Sequence, residues 1–125
     1  MQTFAEFWPF YLREHSRPAT RRLHFVGTTL SLLLLASAAA LHSGGLVVVA
    51  IAAGYAFAWV GHFFVEHNRP ATFKYPLWSL AADWKMWGLA LTGRLGPELN
   101  RAGVKPVAAP ACPVQRASPG PVEKK

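Results

Sequence analysis

The sequence is nearly without cysteine and, over one long stretch, entirely without charge. The single cysteine, Cys112, excludes an intramolecular disulfide and any cysteine-based metal cluster. Between Phe25 and Gly61 there is no Asp, Glu, Lys or Arg. That stretch is too long and too uniform for one amphipathic helix. A chain of 125 residues has room for one domain at most, and too little other surface to cover it. A membrane is the solvent that suits such a run. The basic residues, which bring the formal charge to +7, flank the apolar region and form no basic face with interleaved aromatics. Their distribution points to a membrane surface and away from nucleic acid.

Two apolar runs occupy the charge-poor region, residues 23–41 and 46–65, each close to the roughly 20 residues a bilayer requires. Between them stands "HSGG", a turn of small and polar residues. The pattern predicts an all-α membrane protein built on a transmembrane helical hairpin, whose two outer ends emerge on one side. Every Lys and Arg lies before Leu23 or after Asn68, and the HSGG turn has none. The positive-inside tendency therefore puts both termini in the cytoplasm of an integral membrane protein, in a bacterial inner membrane or the endoplasmic reticulum membrane. The aromatic N-terminus "MQTFAEFWPFY" and residues 76–95 are expected as interfacial amphipathic helices. In the second, Leu77, Leu80, Trp84, Trp87 and Leu91 recur at helical spacing, while Asp83 and Lys85 make a third span costly. Asp83 is expected to cap locally or to pair with Arg69, Lys74 or Lys85. Residues 1–102 form the expected membrane-embedded domain; residues 103–125, rich in Pro and Ala, are expected as a disordered tail. Two spans make a thin bundle that a homodimer would complete. A cleaved leader, suggested by Arg21, Arg22 and the "ASAAA" that follows the first run, would discard one copy of a repeated motif described next.

That motif is a polar heptapeptide. "EHSRPAT" begins at Glu14, and 52 positions later "EHNRPAT" begins at Glu66, identical at six of seven positions. A proline forces the residue before it out of helical geometry, and is tolerated in the first turn of a following helix. Ser16 and Asn68 are suitable N-caps. Each copy therefore predicts a helix–turn–helix corner, and the hairpin brings both corners to the same membrane face. Of the five histidines, His15, His24, His62 and His67 fall at that boundary and only His42 lies at the far end. Imidazoles clustered with a carboxylate, and no thiolate, suit Fe(II), Zn or Mn. The competing interpretation is a headgroup-binding boundary, with Arg17 and Arg69 on lipid phosphates and a non-catalytic scaffold or subunit as the result. Glu14 and Glu66 fit ion pairs with neighbouring arginines as well as metal ligation. A zinc hydrolase with Glu66 as base has no HExxH context to support it.

The residues "FYLREHSRPATRRLHFVGTTL", the two apolar runs and then "GHFFVEHNRPATFKYPLWSLAADWKMW" resemble the family of small membrane proteins related to the fungal 2-hydroxypalmitate dioxygenase. The resemblance runs from about Phe10 to Leu95 and includes His15, His24 and Gly27, then the Gly61–Ala71 pattern. It implies an Fe(II)-dependent dioxygenase that shortens a 2-hydroxy fatty acid by one carbon. Carried over residue by residue, it makes His15, His24, His62 and His67 iron ligands. Arg17 or Arg69 would hold the substrate carboxylate, and Glu66 and Asn68 would orient imidazole N–H groups. The fungal protein has more membrane segments than the two found in this chain.

Overall fold

The computed structural model describes residues 1–105, which form helices and turns and no strand. The α-helices are α1 (Phe4–Glu14), α2 (Pro18–Leu41), α3 (Gly44–Val60), α4 (Pro76–Leu91) and α5 (Leu95–Arg101). A π-helical turn, Gly61–Glu66, prolongs α3, and a 3-10 turn, Ala71–Phe73, leads into α4.

The breaks follow from local chemistry. Helix α1 is capped by Thr3, whose hydroxyl accepts from the Glu6 N–H at 3.3 Å. It ends at the first heptapeptide because Arg17, preceding a proline, is extended (φ −84°, ψ 132°). Pro18 then opens α2, one polar turn ahead of the apolar run. At the far end His42 enters the left-handed region (φ 50°), and the Ser43 N–H closes on the Ala38 carbonyl at 3.0 Å. The Ser43 hydroxyl in turn accepts from the Leu46 N–H. Only His42 and Ser43 make the link; Gly44 and Gly45, expected in the turn, are already helical.

Helices α2 and α3 pack antiparallel, with Thr20 against Gly61, Gly27 against Phe57 and Ser31 against Gly54. At Gly27 the approach demands glycine, since a Cβ there would stand 2.7 Å from that of Phe57. Pro18–Leu41 and Gly44–Glu66 are each long and apolar enough to cross a membrane. Only 22% of either apolar stretch is buried, and Leu33, Val48 and Ile51 are bare on the outside. A core helix of a water-soluble domain hides such residues; helices apolar all round and uncovered are the kind that face lipid.

The main hydrophobic cluster lies around α1. Phe7, Trp8, Tyr11 and Leu12 pack with Ala82 and Met86 of α4 and Leu95 of α5. Helix α4 stops at Leu91, short of the expected 95, because Gly93 takes a positive φ (70°) and turns the chain. The unanticipated α5 then runs back over α1, where Trp8 Nε1 donates to Glu98 at 2.8 Å. Val104 joins this cluster, so the described start of the expected tail is packed. The remainder of that tail, from position 106, lies outside the described residues.

Candidate metal centre

Three histidines from three separate elements meet where the C-terminus of α1 reaches the ends of α2 and α3. His15 caps the C-terminus of α1, His24 lies in α2, and His62 lies in the π turn. All three are buried, and each offers one ring nitrogen within 4.8 Å of the other two. The ring centroids are 4.3, 4.5 and 5.3 Å apart.

The hydrogen bonds define which nitrogen faces inward. His15 Nδ1 is 2.7 Å from the Tyr11 carbonyl oxygen. His24 Nδ1 is 2.9 Å from Asp83 Oδ1. His62 Nδ1 is 2.8 Å from Asn68 Oδ1. Asn68 is oriented by its own amide nitrogen, which donates to the backbone carbonyl and the carboxylate of Glu14. Each Nδ1 thus meets an acceptor, so each carries the proton and each Nε2 is left with a bare lone pair. His15 Nε2 and His24 Nε2 face each other at 3.0 Å. At that distance the two nitrogens need a shared proton or a metal ion between them. The donor set therefore fits a divalent first-row metal held by neutral imidazoles with coordination positions to spare. Burial, and then the nearness of His24 and His62, hold the His15 imidazole well below its usual pKa, so it is a free base at neutral pH.

Asp83 and Tyr11 complete the surroundings. The Tyr11 hydroxyl donates to the same Asp83 oxygen that accepts from His24. Tyr11 is fully enclosed; burial and then the Asp83 charge raise its pKa well above that of free tyrosine. Asp83 was expected to pair with Arg69, Lys74 or Lys85, but Lys85 instead lies over the Trp8 ring at 4.1 Å. The available signal was the position of Asp83, an acid at the centre of a Trp-rich apolar helix, where an ionisable group is functional by default.

The other expected site residues separate into groups. Asn68 touches the centre through His62. Glu66 does not; its carboxylate accepts from the Ser16 hydroxyl at 3.0 Å and the Arg17 N–H at 2.6 Å. Ser16 and Asn68 act as clamps between corners and not as the expected helix caps. His67, expected as a fourth ligand, is exposed: the chain turns through the left-handed region there (φ 58°) and carries the ring outward. Arg17 and Arg69 are exposed at the corners. The arginine that does reach the first corner is Arg21, which donates to the carbonyls of His15 and Ser16 at 2.7 Å each.

Beside the centre a cavity of about 310 Å³ opens between α2, α3 and α4, and His24 and Asp83 form part of its wall.

The sequence of residues 1–95 matches the family described as 2-hydroxy-palmitic acid dioxygenase Mpo1-like. The chain belongs to that family. The matched segment includes all three clustered histidines together with Tyr11, Asn68 and Asp83. No curated protein and no solved structure matches the chain.

Proposed function

We propose that this member of the Mpo1-like family is a membrane-embedded Fe(II)-dependent dioxygenase that converts a 2-hydroxy fatty acid to the acid one carbon shorter. The carrying observation is the set of three buried imidazoles whose Nδ1 atoms are all held by acceptors and whose free nitrogens converge. In the balanced reaction a 2-hydroxy acid and O2 give the shortened acid, CO2 and water, with the C1–C2 bond broken. When bound, Fe(II) supplies a redox-active centre with positions open to a chelating hydroxy acid and to O2. The protein's part is to hold three neutral ligands in fixed orientation and to keep water out. Tyr11 O, Asp83 and Asn68 lock the ring planes, and the Asp83 carboxylate makes His24 a stronger donor. The Tyr11 hydroxyl keeps its proton on the Asp83 side of the site and shares that carboxylate with His24.

The uncovered apolar faces of α2 and α3 favour a transmembrane hairpin, and the restriction of Lys and Arg to its two outer flanks is the ground for reading both termini as cytoplasmic. Reporters fused after Gly45 and at the C-terminus test this; the expected result is opposite sides of the membrane, and the same side for both would overturn the hairpin. The activity is tested by incubating detergent-purified protein with Fe(II) and 2-hydroxy fatty acids under air. Appearance of the acid one carbon shorter, dependent on iron and on His15, His24 and His62, is the expected outcome. Its absence from iron-loaded protein would overturn the assignment.

A further inference from the structure

The cavity beside the centre has a direction. On α2 its wall is His24, Thr28, Ser31 and Leu35, four residues at helical spacing along one face. They run from a metal-binding imidazole through two hydroxyls to an aliphatic side chain. On α3 the wall is Tyr55, Gly54 and Ile51. Along α4, Asp83 is followed by Leu80 and Trp84. The polar end is thus His24 and Asp83, through which the cavity meets the histidine centre, and the apolar end lies about 16 Å away, eleven residues along α2. The volume of about 310 Å³ is that of a small-molecule site. Ile51, Leu80 and Trp84 are all more than 40% exposed, so the cavity opens sideways between α3 and α4, toward the flank on which α2 and α3 present bare apolar side chains.

We infer that this cavity is a lateral acyl slot. It takes the hydrocarbon tail of an amphiphile whose polar head lies at the histidine centre, and the tail enters sideways from the hydrocarbon layer rather than from water. This rests on the reading of the centre as one that binds a hydroxy acid. The wall, polar at His24 and Asp83 and aliphatic at Leu35 and Ile51, matches one class of ligand, a single-chain lipid with a chelating head. An extended chain advances about 1.2 Å per bond, as the backbone does, so the slot encloses about 13 bonds. Gly54 lines the slot part-way along it. A Cβ there would meet Ser31, also a wall residue, at 3.6 Å, an ordinary contact, so a methyl is accepted while a longer side chain must take its space from Ser31 and the slot that the two residues line. Ser31 is seven residues from His24, so the obstruction falls about 10 Å from the centre.

The test separates tail binding from turnover. Protein in nanodiscs is given a long-chain 2-hydroxy acid carrying a diazirine at the chain terminus, irradiated and mapped. Labelling at Leu35 and Ile51 that excess unlabelled acid displaces is expected. It should fall about tenfold in Gly54→Leu protein that retains its metal. Leu80→Trp, a change at an exposed position that narrows the mouth without touching helix packing, should reduce the same labelling if Gly54→Leu fails to fold. Labelling spread evenly over the outer faces of α2 and α3, unaffected by competitor or by Leu80→Trp, would overturn the slot. In turnover, Gly54→Leu should lose long-chain substrates and keep 2-hydroxyhexanoic acid; equal loss of both with metal retained would also overturn it. Wild-type protein that labels at Leu35 and Ile51 yet turns over no hydroxy acid would refute the dioxygenase activity and leave the slot standing.

Discussion

The Glu66 carboxylate accepts a hydrogen bond from the Ser16 hydroxyl at 3.0 Å. Its counterpart is the Glu14 carboxylate, which accepts from the Asn68 amide at 2.9 Å. These are the first and third residues of the two heptapeptides, exchanged across the corner. The repeat is thus a reciprocal clasp in which each copy holds the other. The clasp closes the open end of the α2–α3 pair and carries His15 on one side and Asn68, the support of His62, on the other.

A double-mutant cycle reads the clasp. Glu14→Ala and Glu66→Ala should each cost about 1 kcal/mol, the usual net value of a hydrogen bond. Both bonds act on one contact, so the double variant should lose less than the sum, by about 0.5 kcal/mol or more. Thermal unfolding in detergent supplies the numbers. Strict additivity would mean that the two halves act independently.

Metal content divides the histidines. His15→Ala, His24→Ala and His62→Ala should each abolish stoichiometric iron. His67→Gly should keep it and raise the melting temperature, because glycine relieves a left-handed backbone that costs other residues about 1 kcal/mol. His42→Gly, at the opposite end of α2, should behave in the same way. Loss of iron in His67→Gly would return His67 to the ligand set.

Asp83 and Tyr11 govern affinity and pH response. Asp83→Asn should weaken metal binding by about 10- to 100-fold, the usual effect of removing an outer carboxylate from a ligating histidine. Titration against a competing chelator measures it. For Tyr11 the folded pKa is raised, so above about pH 10 the unfolded chain releases a proton that the folded chain keeps. Stability should fall as pH rises from there, by up to about 1.4 kcal/mol per unit, and Tyr11→Phe should remove that slope. On the acid side the lowered His15 pKa has the opposite sense. Below about pH 6.5 the unfolded chain binds a proton that the folded metal-free chain refuses, so stability should fall as pH falls.

Much of this architecture is legible in the residues. The charge-free stretch and the first proline corner mark α2, α3 and the start of α2, because apolar length and the steric bar that proline sets on the residue before it act locally. The second corner leads only to the 3-10 turn, and Pro76 opens α4. Of the four histidines that share one boundary in the sequence, three come together. His67 does not join them because its orientation depends on one backbone angle beyond a π turn, and nothing in "GHFFVEHN" announces either. The sequence points Asp83 to a local cap or to Arg69, Lys74 or Lys85, whereas its partners Tyr11 and His24 lie 72 and 59 positions away. Such contacts depend on how helices pack, which spacing along one helix does not encode. Helix α5 is short and contains Pro97, and it depends on tertiary contacts, the Leu95 packing and the Trp8–Glu98 hydrogen bond among them.

The glycines of the α2–α3 contact offer a graded test of what holds the centre together. A Cβ at Gly27 would stand 2.7 Å from the Phe57 Cβ, at Gly61 3.0 Å from the Thr20 methyl, and at Gly54 3.6 Å from Ser31. Gly27 is three residues from His24, and Phe57 five from His62. Forcing α2 and α3 apart there must widen the gap between two ligands without removing either. Gly27→Ala should therefore cost about 1–3 kcal/mol by overpacking and weaken iron binding. Gly61→Ala should do less, because a methyl can yield, and Gly54→Ala should be close to neutral. Restoring space with Phe57→Ala in the Gly27→Ala background should recover part of the metal affinity, although Phe57→Ala alone is destabilising. Iron affinity and melting temperature, measured on the same preparations, give the order. If Gly27→Ala binds iron as the parent does, the close approach of α2 and α3 is not what sets the spacing of His24 and His62, and the clasp between Glu14, Asn68, Ser16 and Glu66 must fix it alone.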